Sequence, residues 1–147
     1  MRYMMIVSGS ENLAASGPPP AELMEAIERL GEEAAREGTL VSFGGLKPTS
    51  SGVRMRIRNG EIITTDGPFT ESKEVIGGFS IFDFASKEEA IEEARKLMEL
   101  HRVHWPNWEG VVEIRPMYDE NDDVRATQIE ASRRLQDVGG IRGHDPL

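Results

Sequence analysis

The chain has 147 residues, 38% hydrophobic and 29% charged, a composition typical of one soluble globular domain with a modest core. Its formal net charge of -9 disfavours nucleic acid and anionic membrane surfaces as partners, because both are bound through an excess of Lys and Arg. The absence of cysteine excludes disulfides, thiolate zinc sites and cysteine nucleophiles.

The first half of the chain predicts a strand, a helix, a second strand and a hairpin. Residues 2–8 form an apolar run that predicts a buried strand. This run is too short for a signal-peptide core or a membrane span, so we expect a cytoplasmic protein. Residues 21–37 have apolar side chains at helical spacing, and residues 39–46 predict the second strand. Residues 53–64 predict a hairpin, since apolar and Arg positions alternate over residues 53–58 and Asn59-Gly60 then supplies a type I′ turn.

The second half of the domain predicts a strand, a helix and a last strand. Residues 77–84, GGFSIFDF, predict the first of these strands. The following helix begins at Ser86, and Glu89 three residues later completes the spacing of a capping box. Residues 110–116 predict the last strand, which ends at a proline.

This order of elements predicts an α+β fold on the ferredoxin-like βαββαβ plan, with a β-hairpin inserted after the second strand. We expect residues 1–118 to form the domain. Apolar positions are sparse in residues 119–147, so we expect a polar C-terminal tail that is partly helical or disordered.

Two of the predicted strands are apolar on both faces. In residues 77–84, Phe79 and Ile81 share one face, and Phe82 and Phe84 share the other. Such strands need both faces covered, whereas two helices with one apolar stripe each cover one face of a four-stranded sheet. We therefore expect a homodimer, in which a second copy covers the other face. The alternative is that the hairpin or the tail covers it.

The second predicted helix ends in two histidines beside tryptophans. Its apolar stripe continues through His101 and then His104, and Trp105 follows. An imidazole among apolar groups can titrate near neutrality, so both histidines are candidate catalytic acids or bases. They are alternatively caps of the helix C-terminus, or metal ligands together with carboxylates such as Asp66 or Glu71. Because His-x-x-His spacing is common by chance, we predict no metal and no cofactor.

Asp66 opens the short motif Asp-Gly-Pro-Phe, at residues 66–69. An Asp side chain in a turn can accept a hydrogen bond from a nearby backbone N–H, and this is the favoured interpretation. The functional alternative makes Asp66 a catalytic base, or the group that orients a histidine. Candidate ligand-binding residues are Phe69, Trp105 and Arg115. Arg115 can hold an anionic ligand or form an ion pair with Glu113 at the rim of the sheet.

The stretch TTDGPFTESKEVIGGF (64–79), with RYMMIV (2–7) and VVEIRPM (111–117), closely resembles the YCII-related, or DGPF-domain, family over about residues 1–118. The resemblance implies a bacterial ferredoxin-like domain that dimerises face to face into a dimeric α/β barrel enclosing a cleft. It also implies genes that often lie near those of extracytoplasmic-function sigma factors. Smaller members carry a His–Asp pair. Only Asp66 of that pair is carried over, because no histidine precedes His101.

The resemblance implies no established reaction. We predict that the protein binds a small molecule in the barrel cleft, with acid–base catalysis by Asp66, His101 and His104 as one outcome. The alternative is a non-catalytic ligand-binding or regulatory module that works with an extracytoplasmic-function sigma factor. The wider fold hosts several chemistries, so the fold does not select a reaction.

Overall fold

The computed structural model describes residues 1–10, 18–69, 74–119, 122, 130–135 and 137–138. The elements follow one another as β1 (Arg2–Gly9), α1 (Ala21–Glu37), β2 (Leu40–Gly45), β3 (Val53–Arg58), β4 (Glu61–Asp66), β5 (Val75–Asp83), α2 (Lys87–His104) and β6 (Val111–Pro116). A 3-10 turn at Thr49–Ser51 precedes β3, and residues 130–135 are helical. Among all the described residues, no helix is long and apolar enough to cross a membrane.

Four strands form an open antiparallel sheet in the order β2-β5-β1-β6, and β3 and β4 form a separate two-stranded sheet. The predicted α+β class is confirmed, and this strand order is compatible with the ferredoxin-like plan. The sheet of one chain does not close into a barrel. A bulge at Gly77 shifts the pairing of β5 with β1, because Val7 lies opposite Gly78 whereas Ser8 lies opposite Ile76.

Local chemistry sets the ends of both helices. Helix α1 stops at Gly38, whose φ of 75° is readily adopted only by glycine. At the start of α2, the Ser86 hydroxyl accepts a hydrogen bond of 3.3 Å from the backbone N–H of Glu89. The Glu89 carboxylate in turn accepts one of 3.0 Å from the N–H of Ala85, one residue earlier than in the usual capping box. The predicted cap is therefore present.

The hairpin turn also forms as predicted. Asn59 and Gly60 have φ angles of 51° and 79°, the positive values that a type I′ turn requires. The turn sets a register in which Ile57 lies opposite Ile62 and Met55 lies opposite Thr64.

The hydrophobic core lies on one side of the four-stranded sheet. Both helices pack on this side, and it contains one of the two apolar faces of β1 and β5. Its buried members are Tyr3, Met5, Ala34, Phe82, Phe84, Ala90 and Ala94, with Leu40, Val112 and Ile114 packed against them. We call this the helix side.

The other side, the open face, carries the second set of apolar residues. Met4 lies opposite Ile81, and Ile6 lies opposite Phe79, so all four side chains share this face. Ile81 is buried between its neighbours on the adjacent strands, while the other three stay partly exposed. The two-sided pattern predicted for these strands is thus confirmed.

Neither the hairpin nor the described part of the tail covers the open face. Every residue of β3 and β4 is exposed, as are residues 130–135. Within one copy, the part of the chain that the structure describes leaves Met4, Ile6 and Phe79 uncovered by any helix.

Candidate functional site

His101 lies on the helix side, at the C-terminal end of α2. The buried stripe of this helix runs through Ala90, Ala94 and Leu97 and ends at His101, whose exposed fraction is only 6%. The Nδ1 atom of His101 lies 2.8 Å from the carbonyl oxygen of Leu97. Because a carbonyl only accepts hydrogen bonds, Nδ1 carries the proton in the neutral ring. The lone pair therefore resides on Nε2.

Trp108 covers the ring of His101. The two ring centroids are 4.4 Å apart and the planes are tilted by 35°. Trp105, a predicted ligand-binding residue, stacks on the other tryptophan with centroids 6.4 Å apart. The end of α2 is thus an aromatic cluster that holds His101 in an apolar environment.

Two glycines make room for the Trp108 indole. A Cβ atom on Gly110 would lie 1.7 Å from the indole ring, and one on Gly9 would lie 3.1 Å from its Nε1 atom. Gly9 is the last residue of β1, so the indole connects the end of α2 to the end of the central strand. Trp108 is absent from the sequence-predicted site residues. The only sequence feature that could have pointed to Trp108 is Gly110, and the structure is needed to see that the indole packs against it.

Burial lowers the pKa of His101 below its ordinary value of 6.5, and the hydrogen bond from Nδ1 to the Leu97 carbonyl opposes that effect. The ring is therefore neutral at pH 7. A neutral imidazole with a fixed Nδ1–H can accept a hydrogen bond or a proton at Nε2, which is the capacity of a general base.

His104 points elsewhere. Its Nδ1 atom lies 4.0 Å from a carboxylate oxygen of Glu22 on α1, and its side chain is 30% exposed. It lines a shallow groove between the two helices, beside Leu30 and Lys96. The two histidine side chains therefore lie in different environments, His101 among aromatic rings and His104 in the groove between the helices. Among the described residues, no group of three His, Asp or Glu side chains is arranged to hold a metal ion.

Asp66 lies at the exposed end of β4, opposite Val53. In the described part of the chain its side chain makes no hydrogen bond or ion pair, and so none joins it to His101 or His104. The corner is held by its neighbour Gly67, whose N–H donates to the Gly52 carbonyl at 2.9 Å. The Gly67–Pro68 peptide bond is cis.

Gly67 and Phe69 attach this corner to the turn that follows β2. A Cβ atom on Gly67 would lie 1.7 Å from the carbonyl oxygen of Thr49, so only glycine fits. The backbone N–H of Phe69 donates to the Thr49 hydroxyl at 3.2 Å, and the Arg54 guanidinium lies 4.0 Å from the centre of the Phe69 ring. Glu71, the other predicted carboxylate donor, lies outside the described residues.

Arg115 lies on the open face, opposite Met4. Its guanidinium is 3.7 Å from a carboxylate oxygen of Glu113, and both side chains are more than half exposed. The sheet therefore separates Arg115 from His101, which lies on the helix side. The predicted site residues divide into four places: the aromatic cluster, the groove between the two helices, the hairpin corner and the rim of the open face.

A groove of about 890 Å³ follows the outer edge of β6. Its lining is mainly apolar and includes Tyr3, Ile91 and Ile114, and residues Glu74 and Glu113 also border it. None of the sequence-predicted site residues lines it. An edge strand cannot be identified from its own sequence, because its position depends on which strands pair.

Comparison with known proteins identifies the family. The model of the YCII-related domain matches residues 1–121. An uncharacterised protein of Rhizobium meliloti (strain 1021) is 36% identical to the chain over 94 residues, which is 64% of this chain and 69% of that protein. The chain therefore belongs to the YCII-related family, as the resemblance implied.

Proposed function

We propose that this member of the YCII-related family binds a small molecule in a cleft between two copies of the chain. The observation that carries the proposal is the open face of the sheet. Apolar side chains of β1 and β5 occupy its centre, and the ion pair of Arg115 and Glu113 lies at its rim. An apolar surface with a few polar groups is the usual composition of a small-molecule site.

The twist of the sheet explains why two copies would leave a cleft. Two twisted sheets that meet face to face contact each other closely along one direction and separate towards the corners. A two-fold axis gives both copies the same environment and covers both open faces at once. The result is a homodimer of the dimeric α/β barrel type, located in the cytoplasm.

Arg115 suggests the chemistry of the ligand. Its guanidinium offers a planar set of donors that fits a carboxylate or a phosphate. Because the pair with Glu113 is exposed, it contributes little stability, and an anionic ligand can replace Glu113 at small cost. The ligand is therefore an anion with an apolar body.

A second function, acid–base catalysis, is supported by His101. Its buried ring is neutral and carries its lone pair on Nε2. A substrate would reach it from the end of the sheet where β1 finishes, beside Gly9 and Trp108. In that case Asp66 and His104 act from other parts of the assembly or not at all, since no hydrogen bond or ion pair among the described residues joins either of them to His101.

Thermal shift measurements with matched ligands test the binding site. We would screen aromatic and aliphatic carboxylates against the wild type, Arg115→Gln and the control Arg102→Gln. Each carboxylate would be compared with the neutral carboxamide that has the same aromatic or aliphatic group. Arg102 is an exposed arginine of α2, on the helix side of the sheet. We expect carboxylates to stabilise the wild type and the control but not Arg115→Gln. Equal shifts in all three proteins would contradict the site at Arg115.

Sedimentation velocity tests the dimer. We expect the wild type to sediment as a dimer, and Phe79→Ser, which places a hydroxyl in the centre of the open face, to shift it towards monomer. A wild type that remains monomeric at all concentrations would overturn the dimer cleft.

A further pair of variants separates catalysis from binding. The compounds found in the screen would be incubated with the wild type, His101→Gln and Asp66→Asn and followed for chemical change by mass spectrometry. Turnover lost only in His101→Gln supports catalysis at the aromatic cluster. Binding without turnover in any of the three proteins favours the non-catalytic module, including one that works with a sigma factor.

A further inference from the structure

The β3–β4 hairpin presents an apolar side that nothing in the described part of its own chain covers. Met55, Ile57 and Ile62 are exposed to 70%, 76% and 71%, and the strand register puts all three on the same side of the ribbon. A two-stranded ribbon by itself is at best marginally stable in water. An exposed apolar ribbon of this kind is typical of a surface that meets a partner.

The opposite side of the hairpin is basic. Arg54, Arg56 and Arg58 alternate with the apolar residues, and Arg54 lies over Phe69 at the base. The hairpin thus carries three arginines against the carboxylates of Glu61 and Asp66, in a chain whose net charge is -9. Its charge is complementary to the acidic remainder of a second copy.

The groove along β6 matches this hairpin in chemistry and in length. Its apolar lining fits the apolar side of the ribbon, and Glu74, Lys87 and Glu113 are also among the lining residues. β6 and β3 each have six residues, about 20 Å of strand. β6 is also an edge of the four-stranded sheet, so its outer side is not paired with another described strand.

We propose that the hairpin of each copy packs into the β6 groove of a second copy, so that two identical chains exchange arms. This inference rests on the proposed dimer. The hairpin follows β2, which forms one edge of the sheet, whereas β6 forms the other. A two-fold axis parallel to the strands puts the β2 edge of one copy over the β6 edge of its partner, and both arms are then seated at once.

The arm would also complete the ligand cleft. Two stacked sheets leave the cleft open along their edges, and a hairpin laid along each β6 edge closes those openings. The ligand site of one copy is therefore incomplete without the arm of the other.

Neighbouring isoleucines provide a matched test by sedimentation velocity. The variant Ile57→Thr/Ile62→Thr removes apolar groups from the docking side. The control Ile63→Thr changes the adjacent residue, on the arginine side. We expect the double variant to raise the dimer dissociation constant about tenfold or more, and the control to change it less than about threefold. Circular dichroism would show that both variants remain folded, as expected for exposed positions.

Chemical cross-linking tests where the arm lies. Because the chain has no cysteine, single cysteines can be placed freely. Ile57→Cys on one copy is mixed with a copy carrying Ile91→Cys, which lies in the groove, or Met24→Cys, which lies on the exposed side of α1. A short bismaleimide should join Ile57→Cys to Ile91→Cys between copies, and should not join it to Met24→Cys.

The outcomes separate this inference from the proposed function. A stable wild-type dimer that is insensitive to Ile57→Thr/Ile62→Thr, or that shows no cross-link to Ile91→Cys, would overturn the exchanged arm and leave the dimer cleft in place. A monomeric wild type would overturn both. Weakened dimers together with the specific cross-link would establish the arm.

Discussion

The imidazole of His101 stacks against the indole of Trp108, with ring centroids 4.4 Å apart. The contact joins the end of α2 to the loop before β6, and Gly9 brings the end of β1 against the same indole. The pair therefore couples the one buried histidine of the described chain to the packing of three elements. A change in the charge of His101 should therefore change the free energy of unfolding.

The first prediction concerns pH. The pKa of His101 is lower in the folded state than in the unfolded chain. Below pH 6.5 the unfolded chain therefore binds a proton at residue 101 more readily than the native state does. The free energy of unfolding should therefore fall as pH falls through 6.5, by at most about 1.4 kcal/mol per pH unit from this group. Above pH 6.5 both states hold a neutral ring, and this contribution is constant.

Urea unfolding of the wild type and His101→Gln between pH 8 and pH 5 measures this effect. Gln at residue 101 keeps a donor for the Leu97 carbonyl but cannot titrate, so its stability should depend less on pH than that of the wild type. A His101→Gln variant with the wild-type pH dependence would contradict the burial argument.

The second prediction concerns the space around Trp108. In Gly110→Ala the new methyl would lie 1.7 Å from the indole, so the ring must move or the loop must shift. We expect a loss of about 1–3 kcal/mol in the free energy of unfolding and a changed near-ultraviolet circular dichroism spectrum. The control Gly77→Ala meets no atom within 4 Å and should leave the tryptophan spectrum unchanged. Similar spectra for both variants would argue against the packing described.

The third prediction separates the two residues that open the Asp-Gly-Pro-Phe corner. Gly67→Ala drives a methyl into the Thr49 carbonyl and should destabilise the fold by about 1–3 kcal/mol. Asp66→Asn changes an exposed side chain without a described hydrogen bond, so its effect on the free energy of unfolding should stay within about 0.5 kcal/mol. Denaturant titrations of the two variants would measure both free energies of unfolding and test this difference. A strongly destabilised Asp66→Asn would restore the turn-stabilising interpretation of this aspartate.

The fourth prediction concerns the cap of α2. Ser86→Ala removes the acceptor of the Glu89 N–H and should cost about 1 kcal/mol in the free energy of unfolding. Ser86→Asp retains an acceptor at the N-cap and should stay close to the wild type. If both variants lose the same free energy of unfolding, the loss does not come from the cap.

Several elements could be predicted because their signals are local. The capping pair of Ser86 and Glu89 and the Asn59-Gly60 turn each depend on residues a few positions apart, and both form as expected. The alternation of Phe79, Ile81 and Phe82 predicted a strand apolar on both faces. The domain boundary at residue 118 and the catalytic roles of Asp66, His101 and His104 stay predictions.

The candidate site was less predictable, because its geometry depends on contacts between distant segments. Helical spacing indicated that His101 faces inward, and it is buried. The same spacing assigned His104 to that face, but the last turn of α2 directs it towards Glu22 of α1. The turn hydrogen bond expected for Asp66 is not made in the described chain. Close packing of Gly67 on Thr49 holds the corner instead.

The sequence by itself determined the elements, their order and the two-sided character of the central strands, since periodicity, caps and turns act between near neighbours. Only the tertiary structure decided that His101 and Arg115 lie on opposite sides of the sheet, that Trp108 packs on two glycines, and that no described residue covers the apolar side of the hairpin. Those relationships join residues far apart in the chain. They follow from which strands pair and which face the helices cover, and no local pattern encodes either.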